Sequence, residues 1–341
     1  MEGLDAAKGL AIVSVIIIHT EPFVATFPPM SKLYFIGQVL QQMCSWAVPF
    51  FFTASGFLFS RRATQSSVIS VWSRYVSRLF VVLTAWTIID GALWGPWLKS
   101  VLDAKSLAPL FWNILAIPSF AAKRPDLFLF RGTSVSLWYL VSLIFAISLL
   151  AAAIRESVGR HKVVFIGVMS YLVALGMGSY SSLIGPDKFF LLEQRGPFLA
   201  VGFVALGHYL AQSGTVTEYR RLKYPLLAWA ALFIEALVHA TARSTSFQEQ
   251  PYLLTTFPLA ATLLLYFAVN PARLFSSFGL CTLGRYSLGI YLIHIPILNA
   301  LLPYKQNSVL VEMLFPLLLL LLSFGLSVLL KHVPGVRRIV V

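Results

Sequence analysis

The chain has 341 residues, of which 58% are hydrophobic and only 11% charged, and its mean hydropathy is +0.80. These values exclude a water-soluble chain of this length and place it among polytopic membrane proteins. The formal net charge of +13 sits in short connections between apolar runs, where topology and anionic lipid account for it without invoking nucleic acid.

Apolar runs long enough to cross about 30 Å of hydrocarbon fall at 7–25, 37–59, 72–95, 135–154, 162–180, 196–212, 223–241, 251–269, 281–302 and 309–331. They predict an all-α membrane bundle of about ten transmembrane helices, one domain over 1–341, with no fixed-period repeat and no separate soluble domain. In the first run Lys8 and His19 lie about 16 Å apart along a helix and within roughly 20° of one another around it. Both groups are costly in hydrocarbon and are expected to point into one space, although a snorkelling lysine and an interfacial histidine give the same spacing. Glu2 and Asp5 before the apolar core argue against a cleaved signal peptide. Pro22, Pro28 and Pro29 end this helix soon after His19, and Pro49, Pro258, Pro296 and Pro316 predict kinked helices around a cavity.

The second run ends in Thr53-Ala54-Ser55-Gly56-Phe57-Leu58-Phe59-Ser60-Arg61-Arg62, and the third begins Ser73-Arg74-Tyr75-Val76-Ser77-Arg78. Four arginines in one hairpin suit either positive-inside anchoring or a polyanion site, since guanidinium forks hold phosphates bidentately. The i,i+4 spacing of Arg74 and Arg78 lets them share a helix face. The long connection 96–134 contains an apolar stretch from Leu107 to Ile117, ended by Pro118, that reads as an interfacial or re-entrant helix. In the seventh run Glu235 and His239 are again i,i+4, either a site or a structural pair bridging helices. The ninth run sets Ser287, Tyr291 and His294 on one face. His19, Glu21, Asp90, Glu235 and His239 all fall toward the outer half.

With the N-terminus inside, sixteen basic residues lie inside: Lys8, Arg61, Arg62, Arg74, Arg78, Arg155, Arg160, Lys162, Arg220, Arg221, Lys223, Arg273, Arg285, Lys331, Arg337 and Arg338. Ten lie outside: Lys32, Lys99, Lys105, Lys123, Arg124, Arg131, Lys188, Arg195, Arg243 and Lys305. Five of those ten sit in the one long connection, so both termini are expected in the cytoplasm. Cys44 and Cys281 have neither a CxxC nor a histidine cluster nearby, and no metal or disulfide framework is expected. The chain contains no HExxH, nucleophile elbow or phosphate loop, which disfavours a metalloprotease, a hydrolase or a nucleotide-driven pump.

The segment Leu4-Asp5-Ala6-Ala7-Lys8-Gly9 followed by His19 resembles the opening of the acyltransferase 3 family, integral-membrane O-acyltransferases with an Arg/Lys, ten residues, His signature. Similar to family motifs are also Pro49-Phe50-Phe51-Phe52-Thr53-Ala54-Ser55-Gly56-Phe57-Leu58, the arginines opening the third run, Leu137-Trp138-Tyr139-Leu140, and Tyr286-Ser287-Leu288-Gly289-Ile290-Tyr291-Leu292-Ile293-His294. They occur in family order over nearly the whole chain. The resemblance implies a ten-helix bundle in a bacterial inner membrane. It would move an acyl group, usually acetyl, from cytoplasmic acyl-CoA to a hydroxyl of an extracytoplasmic or lipid-linked carbohydrate, with no metal. Some members carry a soluble esterase-like domain, for which this chain is too short. Many have Arg where this chain has Lys8, so a point charge replaces the bidentate fork.

Under that resemblance Lys8, Arg61, Arg62, Arg74 and Arg78 would hold the phosphates of acetyl-CoA, the donor. The pantetheine arm would span the distance to His19, which takes the acceptor's proton or becomes acylated itself. His294 would assist catalysis, with Tyr291, Glu21, Arg131 and Glu235 meeting substrate and Asp5 pairing with Lys8. A transporter or flippase for a glycan or lipid-linked substrate would also use kinked helices and midplane polar groups, but the inverted repeats that mark one are not found. A pH-responsive sensor or scaffold would show no dependence on Lys8.

Overall fold

The computed structural model describes residues 2–29, 31–181, 196–213, 221–243, 252–270 and 279–337, and among them every regular element is helical. Arg220, Arg273 and Arg338 of the expected inside set, and Lys188 and Arg195 of the outside set, lie outside the described residues. In chain order the helices are α1 (Glu2–Thr20), α2 (Lys32–Cys44), α3 (Ala47–Ala63), α4 (Val68–Ala92), α5 (Trp97–Ala104), α6 (Ala108–Lys123), α7 (Pro125–Arg131), α8 (Trp138–Arg155), α9 (Arg160–Met177), α10 (Pro197–Gln212), α11 (Lys223–Arg243), α12 (Thr256–Val269), α13 (Leu280–Arg285), α14 (Ser287–Leu301) and α15 (Val309–Lys331). A 3-10 turn, Val135–Leu137, leads into α8.

Eight segments among the described residues are long and apolar enough to cross a membrane, with α2 and α3 together making one of them. The expected spans at 196–212 and 251–269 are the helices α10 and α12, of 16 and 14 residues. At 1.5 Å per residue they are about 24 and 21 Å long, shorter than a full crossing.

Two expected spans are broken, each for a local reason. The second run splits at Ser45 and Trp46. The Ser45 hydroxyl donates to the Gln42 carbonyl at 2.9 Å, and Pro49 enters as the third residue of α3, where its missing N–H costs nothing. The ninth run splits at Tyr286, between α13 and α14. Pro49 and Pro258 therefore occupy first turns instead of kinking helix interiors, whereas Pro296 and Pro316 lie inside α14 and α15. Nor does Pro118 end its helix: α6 runs through it to Lys123.

Helix α1 runs through the middle of the bundle, packed against α3, α12, α13, α14 and α15. Small residues set how closely the others approach. A Cβ on Gly9 would lie 2.1 Å from the Leu280 carbonyl oxygen, and one on Gly284 would lie 1.7 Å from that of Asp5, so α1 and α13 touch backbone to backbone. Gly56 and Gly207 bring α3 and α10 together in the same way. Around this core α4, α11 and α15 present Phe80, Ile88, Ile234, Leu237, Leu310, Met313 and Leu317 outward, the apolar surface a bilayer covers.

Candidate active site

At the Lys8 end of α1 a cavity of about 410 Å³ opens between α1, α3, α4, α8 and the α13–α14 junction. Its exposed end is basic, with Lys8, Arg62, Arg78 and Arg285 facing the single carboxylate Asp5. Asp5 bridges two of these cations, taking Lys8 Nζ at 3.0 Å on Oδ1 and Arg285 Nε at 3.9 Å on Oδ2. The buried end is walled by Tyr139 and Tyr291, with Phe51, Leu140 and Leu288 along the sides. A charged mouth above an apolar throat suits a ligand with an anionic head and a thin uncharged arm.

Only part of the expected arginine hairpin faces this cavity. Arg62 and Arg78 line it, whereas the Arg61 guanidinium lies over the Phe57 ring at 5.7 Å and Arg74 Nε donates along its own helix to the Ser70 carbonyl at 3.2 Å. Arg74 lies one turn nearer the start of α4 than Arg78, which takes it past the mouth. Arg285 replaces them; the sequence counts it only toward topology, although it directly precedes the Tyr286–His294 motif.

Beyond Tyr291 lie the two histidines. The rings of His19 and His294 meet edge to face with centroids 4.8 Å apart, and Tyr291 stands 5.7 Å from His294 and 5.4 Å from Tyr139. Each imidazole has Nδ1 on a backbone carbonyl of its own helix: His19 on Val15 at 2.9 Å, His294 on Tyr291 at 2.5 Å. A carbonyl only accepts, so Nδ1 carries the proton in both rings and Nε2 is the basic nitrogen. His294 is fully buried, and its Nε2 has no hydrogen-bond partner among the described residues. The Tyr291 hydroxyl donates to the Ser136 carbonyl in the 3-10 turn. Lys8 and His19 do not open into one space. Ala11, Ile12 and Val15, all fully buried, fill that face of α1 between them, and the cavity ends at the tyrosines.

At the His19 end α1 stops at Thr20, and the chain turns through Glu21 at φ 44° and Phe23 at φ 68°, left-handed conformations that residues with a Cβ rarely adopt. Glu312 of α15 holds this turn. It accepts from the Phe23 amide at 3.0 Å and the Thr26 hydroxyl at 2.5 Å, and it pairs with Lys305 Nζ at 2.8 Å. Glu312 passed unnoticed in the sequence, although a lone carboxylate inside an otherwise apolar run is itself a signal.

Burial raises the Glu21 carboxyl above the ordinary carboxylate range, and the nearby Lys305 ammonium lowers it in part. Because the folded value stays above the unfolded one, stability falls as pH rises from the unfolded value toward the folded one. Glu21→Gln is therefore expected to melt above the wild type at neutral pH, with the difference closing below about pH 4. Thermal unfolding across pH checks this.

Glu235 is occupied elsewhere. It accepts from the amides of Leu254 and Thr255 at 2.9 and 2.8 Å, and from the hydroxyls of Thr255 and Tyr180, capping the approach to α12. The Tyr180 ring, whose hydroxyl donates to Glu235, lies 5.0 Å from the His239 imidazole. Arg131 ends α7, half-buried, in the long connection between α4 and α8. The structure thus brings together Lys8, Arg62, Arg78 and Tyr291 around the cavity and His19 with His294 behind it. Arg61, Arg74 and Glu235 stand apart.

No curated protein and no solved structure matches this chain. The model of the acyltransferase 3 family, described as an acyltransferase domain, matches residues 1–332. With that match covering nearly the whole helical bundle, the chain belongs to the acyltransferase 3 family and is a multi-pass membrane acyltransferase.

Proposed function

We propose that the protein moves an acyl group, acetyl above all, from cytoplasmic acyl-CoA to a hydroxyl of an extracytoplasmic or lipid-linked carbohydrate in a bacterial inner membrane. The observation that carries this reading is the order of basic mouth, apolar throat, tyrosine wall and, behind that wall, the histidine pair. The positive-inside assignment puts the mouth on the cytoplasmic side and His19 in the outer half. CoA phosphates lie against Lys8, Arg62, Arg78 and Arg285, and the pantetheine arm enters the throat. The thioester reaches the tyrosine wall, which must shift for the imidazoles to meet it. The acceptor oxygen forms a bond to the acyl carbon as its proton passes to imidazole Nε2; the carbon–sulfur bond breaks, and that proton leaves with the thiolate as free CoA thiol.

The test is thiol release from acetyl-CoA by the purified protein in liposomes; no release in the presence of cell-envelope glycolipids overturns the reading. The arginine geometry makes a sharper forecast. Removing Arg62 and Arg78 together is expected to weaken CoA binding about tenfold or more, allowing for partial screening of exposed charges, whereas removing Arg61 and Arg74 leaves it within about twofold. Equilibrium binding of labelled CoA separates the two pairs.

A further inference from the structure

Asp90, near the end of α4, is the buried carboxylate that the scheme above leaves unused. It is 4% exposed, and neither oxygen has a hydrogen-bond donor among the described residues. The Ser134 hydroxyl faces it without completing a bond. An orphaned acceptor pair of this kind costs folding free energy, so its retention calls for a ligand, a water or a chemical role.

Asp90 adjoins the histidines through the 3-10 turn. Ser134 Oγ lies 3.1 Å from Ser136 Oγ, the Ser136 carbonyl takes the Tyr291 hydroxyl, and the Tyr291 carbonyl takes His294 Nδ1. At the two ends of this chain stand open valences of complementary use: two carboxylate oxygens that only accept, and the basic Nε2 of His294.

The outer side of this region is covered by α5, α6 and α7, none of which contains a buried residue. Trp97 Nε1 donates to the Pro296 carbonyl at 2.8 Å, two residues past His294, and Asn113 Nδ2 donates to the Ala92 carbonyl at 3.0 Å, two residues past Asp90. A cover without a core of its own, held by a few such bonds, opens at low free-energy cost.

We propose that Asp90 is the acceptor-binding carboxylate. Its two oxygens take two neighbouring hydroxyls of an uncharged polyol, which enters from the outer side when α5–α7 lifts. A vicinal diol supplies one donor to each orphaned oxygen, while an anionic group is repelled. This inference deepens the carbohydrate-acceptor reading above and rests on it.

A Cβ on Gly91 would lie 3.0 Å from Ile117 Cγ1, the position a cysteine sulfur takes at 117, so Gly91→Cys with Ile117→Cys places a disulfide between α4 and α6. With Cys44→Ser and Cys281→Ala as background and Ser134→Cys as reporter, a membrane-impermeant methanethiosulfonate added outside liposomes labels position 134 in the reduced protein. Oxidation abolishes the labelling and dithiothreitol restores it. No labelling when reduced, or equal labelling in both states, overturns the cover.

Methyl α-D-mannopyranoside, which carries a vicinal diol, is the acceptor probe, and tetrahydropyran, the bare ring, its control. In the reporter protein without the disulfide the mannoside slows labelling and tetrahydropyran does not; with Asp90→Leu added, the mannoside protection is lost. Absence of protection, or protection that survives Asp90→Leu, overturns the diol assignment. None of these readouts needs acyl transfer, so a protein that releases no thiol from acetyl-CoA would count against the proposed reaction and not against this site.

Discussion

His19→Ala is expected to lower acyl transfer by about 10² to 10⁴-fold, the usual contribution of a positioned proton-transfer group. CoA affinity should stay unchanged, because His19 lies about 16 Å along α1 from Lys8 and lines no part of the basic cavity. The geometry gives the reason for the size of the effect. Val15 fixes the His19 tautomer through Nδ1, so the neutral ring presents Nε2 as base, with the His294 imidazole packed against it. His294→Asn is expected to fall in the same direction, with the amide nitrogen retaining the bond to the Tyr291 carbonyl. Thiol release measured alongside labelled-CoA binding checks both. Normal turnover by His19→Ala with normal CoA binding removes His19 from the chemistry. Rapid-quench mass spectrometry on the wild type separates the two routes, since an acylated histidine at short times establishes a two-step transfer.

The helices were legible because hydrocarbon demands long apolar runs, and the runs at 309–331 and 223–241 match α15 and α11 to within two residues. What periodicity could not report was where a run breaks. The stretch 37–59 stays apolar across Ser45 and Trp46, so hydropathy is blind to a backbone turn set by one serine and a following proline. The site was legible in parts for a related reason. Helical spacing places Lys8 and His19 on one face, but it says nothing about what fills that face, and Ala11, Ile12 and Val15 close it. It pairs Arg74 with Arg78, but the depth of the cavity mouth, set by the close α1–α13 contact at Gly9 and Gly284, keeps Arg78 and brings in Arg285 from the far end of the chain. Contacts between distant segments are a property of packing, and one sequence carries them only as residues out of place: a glycine facing a backbone, or a glutamate among leucines.

That glutamate carries the second large expectation. Lys305→Met alone is expected to destabilise the protein by about 3–5 kcal/mol, the usual cost of stripping a buried charge of its partner. Lys305 is 7% exposed and Glu312 0%, so the carboxylate left behind has no water to turn to. Adding Glu312→Gln is expected to recover most of the loss, since the amide oxygen still accepts from the Phe23 amide and no unpaired charge remains. Thermal unfolding in detergent measures this cycle, and additive losses would show that the pair is not coupled. The consequence reaches the chemistry because Glu312 ties down Phe23 and Thr26 at the end of α1, where two left-handed residues cost about 1–3 kcal/mol each unless held. Once the turn relaxes, the last turn of α1 loses the anchor that keeps His19 against His294. The single variant should therefore lose transfer rate while keeping CoA affinity, and the double variant should regain both stability and rate. A double variant as stable as the wild type but still slow would assign Lys305 to the acceptor side of the reaction and not to the support of His19.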